Sequence, residues 1–558
     1  RTFCWRGTTP PTSCQQQVNN PMAAVRCGMS AAARPTAASS TRPGCLRATR
    51  ARAATERGIP PRLAAPLRSP SPDLPLRSIR SAVGGRRQHY GRPAVASETA
   101  DAAARGEAVR DVVVVGAGPA GTAAAMLLSK QGYSVQVFER RGDPSTEAAS
   151  KSRGFGIAVN PRGQHALKQL GISLPSDDCG VKFEGSLRHS SKGTSMTPNS
   201  DGVVCVDRGA LARHMVMHAQ AEFPDINFRF HMTCKAVDTV GRTVWFQTTS
   251  GQDLCVKYDL LVAADGANSA VREALAAAGA ITYTREENKR DYKSFLLDQQ
   301  LWASEPEYHN KMLTWQSVDG SVTRMWAVPN PDGTAQGMLT LYKGAFDGLQ
   351  QPEDYARLLA SKFAGVKDSM RHAIAERCAE APVSGGGTMV KCSKLYSDRV
   401  VLVGDAGHSM FPALGQGCNS AIESAAALVE SIRRADSVEA ALEAYSDDRL
   451  PETSAAADMS AMVLDIDGSA GPVGSFKKAI FAMQIILGML SSKIAPKLFK
   501  PPVMFQVNKV GASYVQLRQR MKRESFLIAA ALLLLAGLIV QGVVQAAMTA
   551  AKAAASLI

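Results

Sequence analysis

Paired cysteines, acidic residues near the start and a zinc-type histidine motif are all missing from this chain, and each absence removes a class of function. Seven of the eleven cysteines lie beyond residue 95, and none of them forms a Cys-x-x-Cys pair. Thiols scattered in this way indicate neither a disulfide framework nor a zinc module. Residues 1–95 hold sixteen arginines, no lysine and only two carboxylates, Glu56 and Asp73. That segment carries +14 of the total +15, so the remainder is close to neutral and gives no electrostatic support for binding nucleic acid. His214 and His218 stand four residues apart on an expected helix. Without a His-Glu-x-x-His or a third ligand they read as an ordinary helix face, and no metal is expected.

What is there begins with the arginine-rich segment. It is also rich in Ala, Ser, Thr and Pro and shows no apolar period. Such a composition fits a cleavable organelle transit peptide, so residues 1–105 are set aside from the fold. Met22, followed by Ala23 and Ala24, is expected to be the true start. Plastid delivery is favoured, with the mitochondrion as the alternative. A chain of 558 residues exceeds one compact core, and two or three domains are expected.

From Asp111 the pattern changes. Asp111 to Val115 is a short β-branched run, as a buried parallel strand should be. A glycine turn follows, then a helix over 123–130 ended by Gly132, then a strand over 134–138 closed by Glu139. Helices are expected at 161–171 and 208–222, with a looser Ser-, Gly- and Lys-rich stretch at 172–205. Residues 226–262 alternate in strand fashion, and 293–345 read as an antiparallel sheet. Residues 400–403 return to a buried parallel strand, followed by a long helix at 418–435. The fold class is therefore α/β, a Rossmann-like nucleotide-binding domain with an inserted antiparallel β-sheet substrate domain and a C-terminal helical membrane anchor. The expected nucleotide domain comprises 106–180, 206–285 and 386–450, and the substrate domain 181–205 and 286–385. A helical region follows at 451–524. Phe526 to Val540 contains no polar side chain, and the apolar run extends to Met548. About 20 residues span a bilayer, so 525–548 reads as one tail anchor, its basic flank Arg518, Arg520, Lys522 and Arg523 on the side of the enzyme body. A shorter apolar helix at 476–490 would lie in the membrane interface or roof the site.

Three separated motifs carry the chemistry. Gly116, Gly118 and Gly121 open a helix directly after a strand. Their roles are a tight turn, close approach of backbone to a pyrophosphate, and close packing of helix on strand. Glu139 ends the second strand, where a carboxylate accepts from ribose hydroxyls. Asp265-Gly266 follows the strand at 260–263, with Arg272 beyond, and Gly404-Asp405-Ala406-Gly407-His408 follows the strand at 400–403. Asp405 is placed to hold a ribose or ribityl hydroxyl. Pro412 and the turn Gly415-Gln416-Gly417 then lead into a helix whose first N–H groups suit the electron-rich pyrimidine edge of a flavin. His408 is read as a support for its turn, and Trp302, Trp315 and Trp326 as sheet packing.

This triplet resembles the single-component flavoprotein monooxygenases, the aromatic-hydroxylase group, and within it the kynurenine 3-monooxygenases. The resemblance covers residues 110–545 and includes Arg153, the run Ala158-Val159-Asn160-Pro161-Arg162-Gly163, Val206-Asp207-Arg208-Gly209-Ala210-Leu211 and Met389 to Ser393. It implies FAD contacts at Glu139, Arg140, Arg153, Ala158, Arg208, Asp265, Asp405, Cys418 and Asn419, and a flavin face at Pro412, Gly415 and Gly417. In the kynurenine hydroxylases an Arg and a Tyr grip the substrate carboxylate; Ser186 and Asn199 stand at those places here, with Arg188 close by. Val463 and Val503 stand where the family has an Asn and a Tyr. Loss of a charged partner costs ~1.5–3 kcal/mol per hydrogen bond, so kynurenine itself does not carry over, and the membrane anchor with the two valines points to a less polar substrate.

By the same resemblance NAD(P)H reduces FAD, O₂ adds to give a flavin 4a-hydroperoxide, and an oxygen passes to an aromatic or other electron-rich small molecule. The protein need only position the ring and exclude water. Two other readings stay open: an isoprenoid-directed flavin reductase or epoxidase of the geranylgeranyl-reductase kind, and a non-catalytic FAD-binding membrane protein. Oligomeric state is not readable.

Overall fold

A computed structural model describes residues 109–146, 156–176, 178–319, 323–469 and 471–556. The transit segment and Arg153 lie outside the described residues.

A six-stranded sheet lies at the centre, with strands in the order Tyr396–Ser397, Val400–Leu402, Leu260–Ala263, Asp111–Val115, Ser134–Phe138 and Asn227–Arg229. All pairs are parallel except the edge pair of Tyr396–Ser397 with Val400–Leu402. Val112 to Val115 are buried on both faces, which explains why the run is apolar without alternation. Helices Pro119–Lys130, Arg208–Glu222 and Gly417–Arg434 pack in the same core. The first of these starts at Pro119, four residues earlier than expected. Proline is at home in the first helical turn, where its missing N–H costs nothing. An antiparallel meander, Met232–Asp238, Thr243–Thr248 and Asp253–Lys257, covers one side through Phe246, whose ring stacks on Phe138 at 4.0 Å.

The second sheet has seven strands, in the order Ser384–Gly385, Arg290–Leu297, Ala335–Tyr342, Arg324–Pro329, Lys311–Gln316, Gly185–Ser190 and Gly193–Pro198. The pairing of Lys311–Gln316 with Gly185–Ser190 is parallel and the rest antiparallel. One face presents Phe295, Leu313, Trp315, Met325 and Leu339 to a core closed by helices Pro352–Lys362 and Asp368–Glu380. The opposite face carries Ser186, Arg188, Met312, Arg324 and Trp326, and meets the strand Gly156–Val159, where a side chain on Gly156 would strike Val328 and Trp326. The stretch 172–205, expected to be loose, therefore supplies two strands of this sheet. Gly193–Pro198 is exposed at every position, so it carries no alternating signal to read.

Three long helices end the chain: Val438–Gly468, Gly471–Ile494 and Tyr514–Ala555. The last two are long and apolar enough to cross a membrane by length and composition, where one was expected. The final helix begins at Tyr514, well before the apolar run, because its first turns are held to the body by Arg518 on Asp458. Beyond Phe526 most of its large side chains are exposed, Leu534 at 71%.

Candidate functional site

The glycine loop is shaped by contacts that exclude any side chain. Gly116 has φ +101°, and a Cβ there would sit 2.5 Å from the Ala264 carbonyl oxygen. A Cβ on Gly121 would sit 1.9 Å from the Gly116 oxygen and 3.1 Å from the Ala264 methyl. These two glycines bring the first motif against the second. Gly118 differs: its backbone is extended, and nothing lies within 4 Å of where its Cβ would be. That open space faces the N-terminus of Pro119–Lys130, where free N–H groups favour a phosphate. Glu139 braces the loop from the next strand, accepting from Ala117 N–H and Arg141 N–H at 2.9 Å each. Arg140 is exposed beside it.

The third motif closes on the first. A Cβ on Gly404, φ +64°, would meet the Ala120 methyl at 2.9 Å and the Ala421 methyl at 3.1 Å. Buried Arg272 ties the second motif to the third, donating to Ala267 O at 2.9 Å and to Ala406 O at 3.0 Å. Two carboxyl groups converge here with unspent capacity. Asp265 Oδ2 accepts from Ala270 N–H at 2.8 Å, while its buried Oδ1 has no partner. Burial pushes the pKa of both Asp265 and Asp405 up, and Arg208 partly opposes this at Asp405. An orphaned carboxylate oxygen, an open cradle at Gly118 and a helix N-terminus fit the hydroxyls and pyrophosphate of a dinucleotide. The Cys418 thiol, pushed up to about 12 by burial and then by Asp405, stays protonated.

The turn before Gly417–Arg434 is held by a polar network. Asn419 is fully buried; its amide donates to Ala158 O and Gly415 O at 2.8 Å each and accepts from Asn160 N–H at 3.0 Å. Its side chain is thus spent on the loop, leaving its backbone for any cofactor. Gly415 has φ +62° and lies over the Ala158 methyl; Pro412 begins the short helical turn just before it. Gln416, also fully buried, receives Asn160 Nδ2 at 3.0 Å and the Tyr514 hydroxyl at 2.8 Å, and donates to Asn508 at 2.9 Å. Arg162 lies 4.0 Å above the Tyr514 ring and pairs with Glu423 at 2.8 Å. Asn160 belongs to the run at 158–163 that carries the resemblance, whereas Asn508 and Tyr514 carry no motif signal; only their contacts single them out.

The expected substrate positions separate. Asn199 is committed to its own turn, donating to Phe183 O and Val203 O at 2.9 and 2.8 Å, so both amide hydrogens are used. It has no donor left for a carboxylate. Ser186 and Arg188 share the sheet face that meets Gly156–Val159. Val463 and Val503 belong to one apolar cluster with Met410 and Phe411 beside the flavin-type turn, and Val503 also lines a small cavity with Phe481 and Met521. Among the described residues no cluster of His, Cys, Asp or Glu could hold a metal. His218 bonds to Leu170 O at 2.9 Å and His214 faces Asp178 at 3.2 Å. Trp302 and Trp315 are core residues, and Trp326 lines the open sheet face.

His408 is buried against Ser424 Oγ at 3.0 Å, and burial, reinforced by Arg449, drops its pKa from 6.5 to about 3. A base this weak supports the turn and does no proton transfer near neutrality. The unfolded chain takes up a proton below pH 6.5 that the folded chain refuses, so this contribution to stability is full above 6.5 and falls as pH drops towards 3. The expected slope is ~1.4 kcal/mol per pH unit. Replacing His408→Gln should flatten the dependence of the unfolding free energy on pH between about 5.5 and 4 by roughly that slope. Glycine replacements should split. Gly121→Val should fail to fold, whereas Gly118→Val, with an extended backbone and open surroundings, should fold with an unchanged apoprotein midpoint yet retain at least about tenfold less FAD.

Comparison with known proteins agrees with this geometry. Residues 110–460 match the model of the FAD binding domain family. The kynurenine 3-monooxygenase of Salinispora arenicola is 32% identical over 362 residues, covering 62% of this chain and 78% of that protein. Violacein synthase of Chromobacterium violaceum is 26% identical over 433 residues, 75% and 98% of the two chains. Among solved structures, 2-methyl-3-hydroxypyridine-5-carboxylic acid oxygenase superposes with TM-score 0.53 at 22% identity, over 66% of this chain and 96% of that one, which is a likeness of fold. The chain belongs to the FAD binding domain family and is an FAD-dependent monooxygenase of the aromatic-hydroxylase group.

Proposed function

We propose that this enzyme uses NAD(P)H and O₂ to hydroxylate an aromatic or other electron-rich small molecule at an organelle membrane. The observation that carries the reading is the approach of the segments at Gly116, Asp265 and Asp405 to one another. In this reading residues 106–180, 206–285 and 386–450 are one nucleotide domain, and 181–205 with 286–385 are the substrate domain.

The Gly116 to Gly121 loop would take the pyrophosphate, Glu139 with Arg140 the adenosine ribose, and Asp265 and Asp405 the remaining hydroxyls. Arg208 would temper the Asp405 charge. Ala158, Cys418 and the backbone of Asn419 would line the flavin, and Arg153 joins this set by resemblance. The N–H groups opening Gly417–Arg434 would hold the pyrimidine edge. When bound, FAD supplies electron transfer from NAD(P)H and activation of O₂. The chain's own work is then to orient the substrate ring between the sheet face and the Pro412, Gly415 and Gly417 turn, and to keep water out. The Gln416 network favours this role, because it fixes the turn against three separate segments.

The exposed apolar surface of Tyr514–Ala555 and of Gly471–Ile494 supports attachment to a bilayer. The abundant Ala, Ser and Pro that follow Met22 support delivery to a plastid before a mitochondrion.

Detergent-purified protein should be yellow, and an aromatic substrate should accelerate NAD(P)H oxidation with O₂ consumed in step with hydroxylated product. Saturation of a double bond without oxygen uptake would contradict this. A chain ending after Glu524, which keeps the apolar helix Gly471–Ile494, should still need detergent but keep its FAD, whereas one ending before Asn508, which strips Gln416 of two partners, should lose at least about half of it. Equal FAD retention by both would refute the structural role given to that network.

A further inference from the structure

Charge is spread unevenly beyond the arginine-rich segment. Residues 468–558 hold eleven lysines and arginines against one carboxylate, Glu524, a charge of +10. With +14 in residues 1–95 and +15 in total, residues 96–467 carry −9. The two apolar helices thus bring their own cations to an acidic body. Lys477, Arg518 and Arg520 are paired with Asp465, Asp458 and Glu524. Lys493, Lys497, Lys500, Lys522 and Arg523 are exposed and have no ion pair among the described residues.

Contacts gather these five onto one rim. Gln484 donates to Met521 O at 2.9 Å, and a Cβ on Gly488 would meet Pro502 at 3.0 Å, so Gly471–Ile494 runs beside the first turns of Tyr514–Ala555. Arg520 donates to Lys500 O and Pro501 O at 3.0 Å each. That straps the turn after Ile494 to a point about 9 Å before Phe526 along the helix, within one turn of Lys522 and Arg523. The turn therefore lies on the body's side of the apolar run 526–548. The chain then comes back to the body, where Val503 and Val507 join the cluster of Met410 and Phe411. Between Lys478 and Lys493 stand only 14 uncharged residues, short of the ~20 that span a bilayer. On the side away from Gln484 and Gly488, Ile486, Leu490 and Ile494 follow one another at one helical turn and are exposed. Leu498 and Phe499 continue this bare stripe past the turn, with Ile494 at 82% and Leu498 at 80% exposure.

An apolar stripe set among unpaired cations matches a membrane interface, where acyl chains receive the stripe and headgroup phosphates receive the charge. Its continuity with the exposed run 526–548 favours a bilayer over a protein as its cover. We propose that residues 486–500, with Lys522 and Arg523, dock flat on one leaflet that contains anionic phospholipid. Gly471–Ile494 then lies in the interface without crossing, and Tyr514–Ala555 alone crosses. The same leaflet repels the body with its charge of −9, so this contact also sets which side of the enzyme meets the bilayer. The contact rests on the bilayer attachment proposed above and adds its lipid chemistry; it is independent of the reaction at the flavin.

The test places the full-length protein in nanodiscs of phosphatidylcholine alone and of phosphatidylcholine mixed with phosphatidylglycerol, and follows amide hydrogen exchange at 493–500. Exchange there should be at least ~tenfold slower in the anionic discs than in the neutral ones. The difference should vanish near ~1 M salt, where the screening length falls to about 3 Å. Lys493→Gln, Lys497→Gln and Lys500→Gln combined should abolish it, and the three Lys→Arg changes combined should keep it. All three lysines are exposed, so the unfolding midpoint in detergent should not move in either variant. Equal exchange in the two discs, or a Gln variant that still distinguishes them, would overturn the anionic contact. A second arm reads topology in sealed phosphatidylcholine vesicles with a membrane-impermeant amine reagent. Lys497 should be modified in step with Lys257, which is exposed on the body, and Lys552 should not. Lys497 shielded while Lys257 reacts would make Gly471–Ile494 a crossing helix and overturn the flat docking. Each of these results leaves bilayer attachment standing. Full-length protein that stays monodisperse with neither detergent nor lipid would overturn the attachment, and this contact with it.

Discussion

Close approach of bare backbone at Gly116, Gly121 and Gly404 is the constraint on which the rest of this structure depends. At each of these positions a Cβ would fall within 3 Å of an atom from another part of the chain: the Ala264 oxygen, the Gly116 oxygen and the Ala120 methyl. Contacts this short cannot be relieved by a rotamer change where the neighbour is backbone. They lock the first strand and its helix to the strand before Asp265, and the first helix to the turn before Asp405. Everything that could hold a dinucleotide follows from that convergence, including the free oxygen of Asp265 and the open space beside Gly118.

A second layer fixes the turn that would face the flavin. Gln416 and Asn419 are fully buried and bonded on every side, to Asn160, Ala158, Asn508 and Tyr514. Each such bond is worth only about 0.5–1.5 kcal/mol net, but leaving one partner buried and unsatisfied costs ~1–3 kcal/mol. The network is therefore cooperative in its consequences. It also binds the start of the Tyr514–Ala555 helix to the turn, so the proposed membrane element and the proposed cofactor site share residues.

Much of the parallel sheet was legible because its strands are buried on both faces and read as unbroken apolar runs rich in valine, Val112 to Val115 and Val400 to Val403. The glycine turns were legible because their spacing is local. The polar strands at 185–198 were not, since exposure at every position of Gly193–Pro198 leaves no alternation. The resemblance put Asn199 in the substrate site, whereas the fold spends both of its amide hydrogens on its own turn. The pairing of Arg324 with Asp467, 143 residues apart, and of Gln416 with Tyr514 is tertiary and leaves no periodic trace. The final helix could be read only from its apolar run; its start at Tyr514 is set by Ser513, which caps it, and by Arg518 on Asp458.

Amide hydrogen exchange of the apoprotein with and without added FAD tests the central claim most directly, because it reports each segment separately. If the three segments enclose one flavin nucleotide, FAD should slow exchange together at 116–122, 265–271 and 405–419, with one common concentration dependence. Protection confined to the first glycine loop, or three segments responding at different concentrations, would contradict the account.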